Sequence, residues 1–128
     1  MAMKVHQFDP VLYPRKIWIV KGYGLAKQIS EHFISADGEA LNLDYEDDCY
    51  ACIWGTVRYK DVDKLGVLIW LQPKFNFESC AHEAVHVVNK IFTDCCVDYA
   101  QAHDEHFAYF VGKVSYWMYQ VWTGKFKD

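Results

Sequence analysis

Two histidines four residues apart, with a glutamate directly after the first, stand in the segment His82-Glu83-Ala84-Val85-His86, an HExxH pattern. On an α-helix, residues i and i+4 leave one face a single turn apart, so both imidazoles can close on one metal ion with Glu83 beside it. The competing reading is a packing helix whose histidines only hydrogen-bond to neighbours. The surroundings of the motif favour the metal.

Those surroundings are helical. At about 100° per residue from Ser79 to Thr93, the side chains of Ala81, Ala84, Val85, Val87, Val88, Ile91 and Phe92 fill one arc. His82, His86, Asn89 and Thr93 form a narrow polar strip outside it, so the histidines are expected to face a cleft. Ser79, or Asn76 just before it, suits an N-cap, and Pro73 argues against an earlier start.

The elements that must hold this helix are readable upstream. Asp9-Pro10 and Tyr13-Pro14 keep the chain extended up to a strand at Lys16-Ile17-Trp18-Ile19-Val20. Gly22-Tyr23-Gly24 reads as a turn; the third glycine of a phosphate-binding loop is missing. Leu25 to Ile34 carries helical apolar spacing and ends at the Asp37-Gly38 turn. Tyr50 to Tyr59 alternates with period two, as does Leu65 to Gln72, and the pair reads as an antiparallel hairpin running into the motif helix. Gly55, in mid-strand, suggests a bulge or a close backbone approach.

After the motif helix the period breaks from Thr93 to Asp98, and a last helix is expected from about Gln101 to Trp122, stopped at Thr123-Gly124. Phe107, Phe110, Val111, Val114, Trp117, Met118 and Val121 form its wide apolar face. Glu105, Tyr109, Gly112, Tyr116 and Tyr119 fall on a separate stripe, which the pattern suggests lies against the histidine face of the preceding helix. The expected architecture is one α+β domain over residues 1–128, a small antiparallel or mixed sheet packed on the motif helix and a long C-terminal helix.

Composition bounds the function. A chain of 128 residues that is 52% hydrophobic and 17% aromatic can bury a core without disulfides. Its formal charge of -4 offers no basic face for nucleic acid. The acidic run Asp44, Glu46, Asp47 and Asp48 lacks the alternating ligands and central glycine of a calcium loop and reads as a solvated segment. With no signal-like or membrane-length apolar stretch, the expectation is a cytoplasmic protein without a membrane partner. Five cysteines are then most simply free thiols. Cys49 and Cys52 form a CxxC, but its distance from the motif and strand alternation argue against a shared zinc site with His82 and His86. Cys80 reads as a small buried hydrophobe.

The sequence resembles a minimal zincin, and within the zincins the gluzincin branch, in which a downstream glutamate completes the ligand set. Glu105, 19 residues after His86, suits that role. The metzincin pattern would place glycine at Asn89 and histidine at Phe92, and has neither. Tyr13-Pro14-Arg15-Lys16-Ile17-Trp18, the HExxH itself and Asp104-Glu105-His106-Phe107-Ala108-Tyr109 together are similar to small HExxH proteins encoded by bacteriophages, a likeness that brings no established activity. Rivals for the third ligand are His103, Asp104 and His106; a site of His82, His86 and His106 is also sound zinc chemistry.

The resemblance implies one zinc ion and a metalloprotease with Glu83 as general base; Tyr109 or Tyr116, on the stripe of Glu105, would donate to the oxyanion, the alternative being tyrosines that only pack against a helix. A peptide or protein substrate would pair with an exposed hairpin edge, and the host cytoplasm would be the setting for a phage protein. The alternative is a catalytically inactive, metal-stabilised protein that binds a host or virion component through aromatic residues such as Trp54, Trp70, Trp117 and Trp122.

Overall fold

The computed structural model describes residues 3–43, 50–97 and 105–126. In chain order its elements are β1 (His6–Phe8), β2 (Lys16–Lys21), α1 (Ala26–His32), β3 (Phe33–Ser35), β4 (Ala51–Tyr59), β5 (Lys64–Leu71), α2 (Phe77–Asp94) and α3 (Glu105–Thr123). The class is α+β: a five-stranded mixed sheet in the order β1-β2-β5-β4-β3, with three helices among the described residues.

The central strands are β2 and β5, and they run parallel, in register from Lys16 against Gly66 to Lys21 against Leu71. Both are apolar on both faces because both faces are covered. Ile17, Ile19, Val67, Ile69 and Leu71 pack with α2 and α3, while Trp18, Val20, Leu68 and Trp70 pack on the other side with Ile29 of α1 and Phe33 of β3. Burial of each such side chain contributes about 1.5–3 kcal/mol relative to exposure. Indole N–H groups on that second face find acceptors: Trp18 donates to Gln7 Oε1 at 2.9 Å and Trp70 to the Gly22 carbonyl at 2.8 Å. At Gly66 the neighbouring strand comes so close that a Cβ would stand 2.1 Å from the Lys16 carbonyl oxygen, so no larger residue fits.

β4 and β5 form the expected antiparallel hairpin. Its register shifts between Trp54 and Val57, where β4 carries one extra residue, and Thr56 takes a left-handed φ of 55°. The mid-strand glycine therefore marks a real bulge. Two elements depart from the sequence expectation. His6–Phe8 forms an edge strand against β2 where the pattern assigned no element, and the chain after it, expected to be extended, turns at Pro10 to Tyr13, the Tyr13 amide donating to the Pro10 carbonyl at 2.7 Å. Phe33 and Ile34, expected to end a helix, instead pair with β4, and Phe33 stacks on Tyr59 with ring centroids 4.5 Å apart. Pairing and burial override the local helical spacing there.

α2 begins at Phe77, with Asn76 as its cap: the Asn76 side chain accepts from the Ser79 amide at 3.1 Å. It ends at Asp94; Cys96, two residues on, takes a left-handed φ of 58°, and the Val97 amide donates back to the Phe92 carbonyl at 2.8 Å. α3 closes on Gly124, whose φ is 74° and whose amide donates to the Gln120 carbonyl. The two helices lie antiparallel on one face of the sheet. Phe77 meets Tyr119 and Phe75 meets Trp122 at one end, while Phe92 meets Phe107 and Phe110 at the other. Among the described residues no helix is long and apolar enough to cross a membrane.

Candidate metal centre

On α2, Cys80, Ala84, Val87, Val88, Ile91 and Phe92 are buried, which leaves His82 and His86 exposed on the opposite side. The amphipathic pattern thus does what the spacing implies: it rolls the imidazoles outward and the hydrocarbon inward. Ala81, placed by the pattern on the apolar arc, is exposed. The imidazole rings stand 4.9 Å apart, nearly perpendicular. Glu83 sits at the border of the two faces, 7% exposed. One ligand atom from each of His82, Glu83 and His86 lies within 4.8 Å of the others, the one such group among the described residues.

This donor set fits a divalent cation. Two imidazoles and a carboxylate are zinc ligands, and at metal–ligand distances of about 2.0–2.2 Å tetrahedral donors stand about 3.3 Å apart. Exposed histidine side chains can close from 4.8 Å to that spacing by rotation. Burial pushes the Glu83 carboxyl above the ordinary glutamate range, and the neighbouring imidazoles His82 and His86 pull it back down.

A polar cleft adjoins the pair. It is lined by Gly55, Thr56, His86, Asn89, Lys90, Thr93 and Asp94, with a volume of about 560 Å³. The β4 bulge forms one wall and the polar strip of α2 the other. Asp94 at the far end is paired with Arg15. The Asn89 Oδ1 atom is buried and has no donor among the described residues. Asn89 on the polar strip and Gly55 in mid-strand meet across this cleft, a long-range approach that neither helical nor strand periodicity encodes; its one sequence signal is the coincidence of a mid-strand glycine and a polar helix strip.

The proposed third ligand is not brought here. Glu105 is exposed in the first turn of α3 and lines a groove with Ala108, Tyr109, Gly112, Lys113 and Tyr116. Two geometric facts separate it from the histidines. Phe92, which meets α3, is turned about 120° around α2 from His86, while Lys90, which meets β4, is turned only about 40°. Because the helices are antiparallel, Phe107 is level with Phe92, which lies about 9 Å along the axis beyond His86. The tyrosine stripe likewise faces away: Tyr109 is 77% exposed, Tyr116 is 44% exposed, and Gly112 has open space where a Cβ would stand. His106 points to a different pocket, with Val11, Leu12, Tyr13, Phe110 and Trp117. His103, Asp104 and Cys49 lie outside the described residues, as does the acidic run at 44–48.

Cys80 is buried as expected, and burial pushes its thiol above the usual range. Comparison with family models, with curated proteins and with solved structures finds no match, so the chemistry of this cluster carries the functional argument.

Proposed function

We propose that this chain is a zinc-dependent hydrolase of peptide bonds with a zincin-like arrangement, in which His82 and His86 hold the ion and Glu83 is the general base. The observation that carries the reading is the grouping of two exposed imidazoles with the buried Glu83 carboxylate, ligand atoms within 4.8 Å of one another, beside an open polar cleft. A zinc ion held by His82 and His86 would supply Lewis acidity to a substrate carbonyl and to water. Glu83 accepts the proton of the attacking water and returns it to the leaving amine. Its burial disfavours the charged carboxylate and so pushes its pKa above the ordinary glutamate range, the direction a proton-transferring carboxyl needs. The cleft between α2 and the β4 bulge receives the peptide.

A second reading rests on the displacement of Glu105 from the cluster. Without it, the Glu83 carboxylate is the third donor within reach, and a glutamate spent on ligation cannot act as base. The protein would then be metal-stabilised and catalytically silent, binding a host or virion component.

One substitution separates the two. Protein purified without added zinc is assayed for metal by elemental analysis and for cleavage of an unfolded protein substrate. Under the hydrolase reading Glu83→Gln keeps stoichiometric zinc and loses turnover; under the binding reading it loses zinc. Zinc retained at full stoichiometry in His86→Ala would refute both.

A further inference from the structure

We propose that α3 pairs with the α3 of a second copy of this chain, as an antiparallel two-fold contact centred between Tyr109 and Gly112. The groove lined by Glu105, Ala108, Tyr109, Gly112, Lys113 and Tyr116 runs along a single helix. These positions are two overlapping sets of i, i+3, i+4 and i+7, the surface into which a side chain from a facing helix inserts. Its floor is low, because nothing lies within 4 Å of where a Gly112 Cβ would be. Beside it stands a large projecting side chain, Tyr109, 77% exposed.

Projection and hollow lie on the same stripe, three residues apart, so the surface is complementary to itself. Turned antiparallel, with Tyr109 of each copy seated over Gly112 of the other, the register also sets Lys113 of each copy opposite Ala108 of the other. That puts each Lys113 ammonium one turn from the Glu105 carboxylate of the second copy. Glu105 and Lys113 are both exposed, and neither is in an ion pair among the described residues; Lys113 only overlies its own Trp117 ring. A two-fold axis makes the charge match twice, once for each copy. An unrelated helix would have to reproduce a projecting aromatic and both charges at these spacings; a second copy has them already.

The patch continues past the helix. Val11 is 87% exposed and Leu12 76% exposed, and both line the adjoining pocket with Tyr109 and Lys113. An aromatic side chain contributes about 150–250 Å² when covered. The patch therefore offers on the order of 500 Å² per copy, and a symmetric pair about 1,000 Å², at the lower limit of specific interfaces. The association is weak and concentration-dependent. It leaves both metal clusters open, because His82 and His86 face away from α3, and it does not depend on the metal.

The test is sedimentation equilibrium of the full chain from micromolar to millimolar concentration, with and without chelator. Wild type should show a monomer–dimer equilibrium that chelator does not move. Gly112→Leu fills the hollow, and Glu105→Lys or Lys113→Glu alone sets like charges together; each should weaken self-association at least tenfold while leaving the circular dichroism unchanged. The double variant E105K/K113E should restore it. A wild type that stays monomeric throughout, a dimer that survives Gly112→Leu, or a double variant no stronger than the singles overturns the proposal.

Discussion

Lys90 lies across Gly55: a Cβ built on that glycine would stand 2.9 Å from Lys90 Cδ and 3.2 Å from its Cβ. The helix that carries His82 and His86 thus crosses the sheet at the bulge of β4, and the absent side chain lets the two approach beside His86.

Two glycines should answer differently to the same substitution. At Gly55 the obstacle is largely the flexible stem of an exposed lysine, which can swing aside, so Gly55→Ala should cost less than about 1 kcal/mol. At Gly66 the obstacle is backbone, the Lys16 carbonyl at 2.1 Å, and Gly66→Ala should cost about 3 kcal/mol or more by parting the central strands. Urea unfolding of both variants gives the comparison; equal midpoints would contradict it.

Zinc should stabilise the folded chain through the two imidazoles. A ligand that binds only the native state at 100 times its Kd adds about 2.7 kcal/mol, which for a domain of this size raises Tm by on the order of 10 °C. Differential scanning calorimetry should show that rise on adding zinc, its reversal by chelator, and no rise in His82→Ala or His86→Ala.

Acid should loosen the β1 edge. Burial, then the positive charges of Lys4 and Lys21, hold the His6 imidazole below its usual 6.5. The unfolded chain therefore binds this proton more readily than the folded one, so stability rises with pH across the interval. The contribution is complete above about pH 6.5 and is lost as pH falls toward the folded value. His6 stacks on Phe126 at 4.9 Å, so His6→Phe keeps the ring contact and should flatten the dependence of Tm on pH between 5 and 7. A His6 titration midpoint above 6.5 by NMR would reverse the sign.

The end of α2 carries removable strain. Cys96 holds a φ of 58°, a conformation costly for a residue with a Cβ and free for glycine. Cys96→Gly should raise stability by about 0.5–1 kcal/mol in denaturant melts, because relief of the left-handed strain outweighs the added chain entropy of glycine.

The local features of this fold were legible and the long-range ones were not. His82, Glu83 and His86 sit together because i and i+4 on a helix always do, and the Asn76 cap and the Gly55 bulge are equally local. The β3 strand was hidden because Phe33 and Ile34 suit either a short helix or an edge strand, and only contact with Tyr59 decides. Of the stripe expected on α3, Glu105, Tyr109, Gly112 and Tyr116 line one groove, while Tyr119 turns to Phe77 of α2. Periodicity gives the grouping but not the direction it faces. The apolar side with Phe110, Val114, Trp117, Met118 and Val121 turns to the core, and Glu105, Tyr109, Gly112 and Tyr116 turn out to solvent instead of to the histidines.

The parallel pairing at the centre of the sheet joins Lys16 to Gly66, 50 positions apart in the chain, whereas β4, β5, α2 and α3 follow one another with short separations. Closing so long a loop carries an entropic cost before any contact rewards it. The hairpin and the helix behind it therefore assemble early, and the N-terminal strands dock late onto a surface already made. A chain emerging from synthesis would hold its first forty residues in waiting, with Trp18 and Ile19 uncovered, until the second half had been produced.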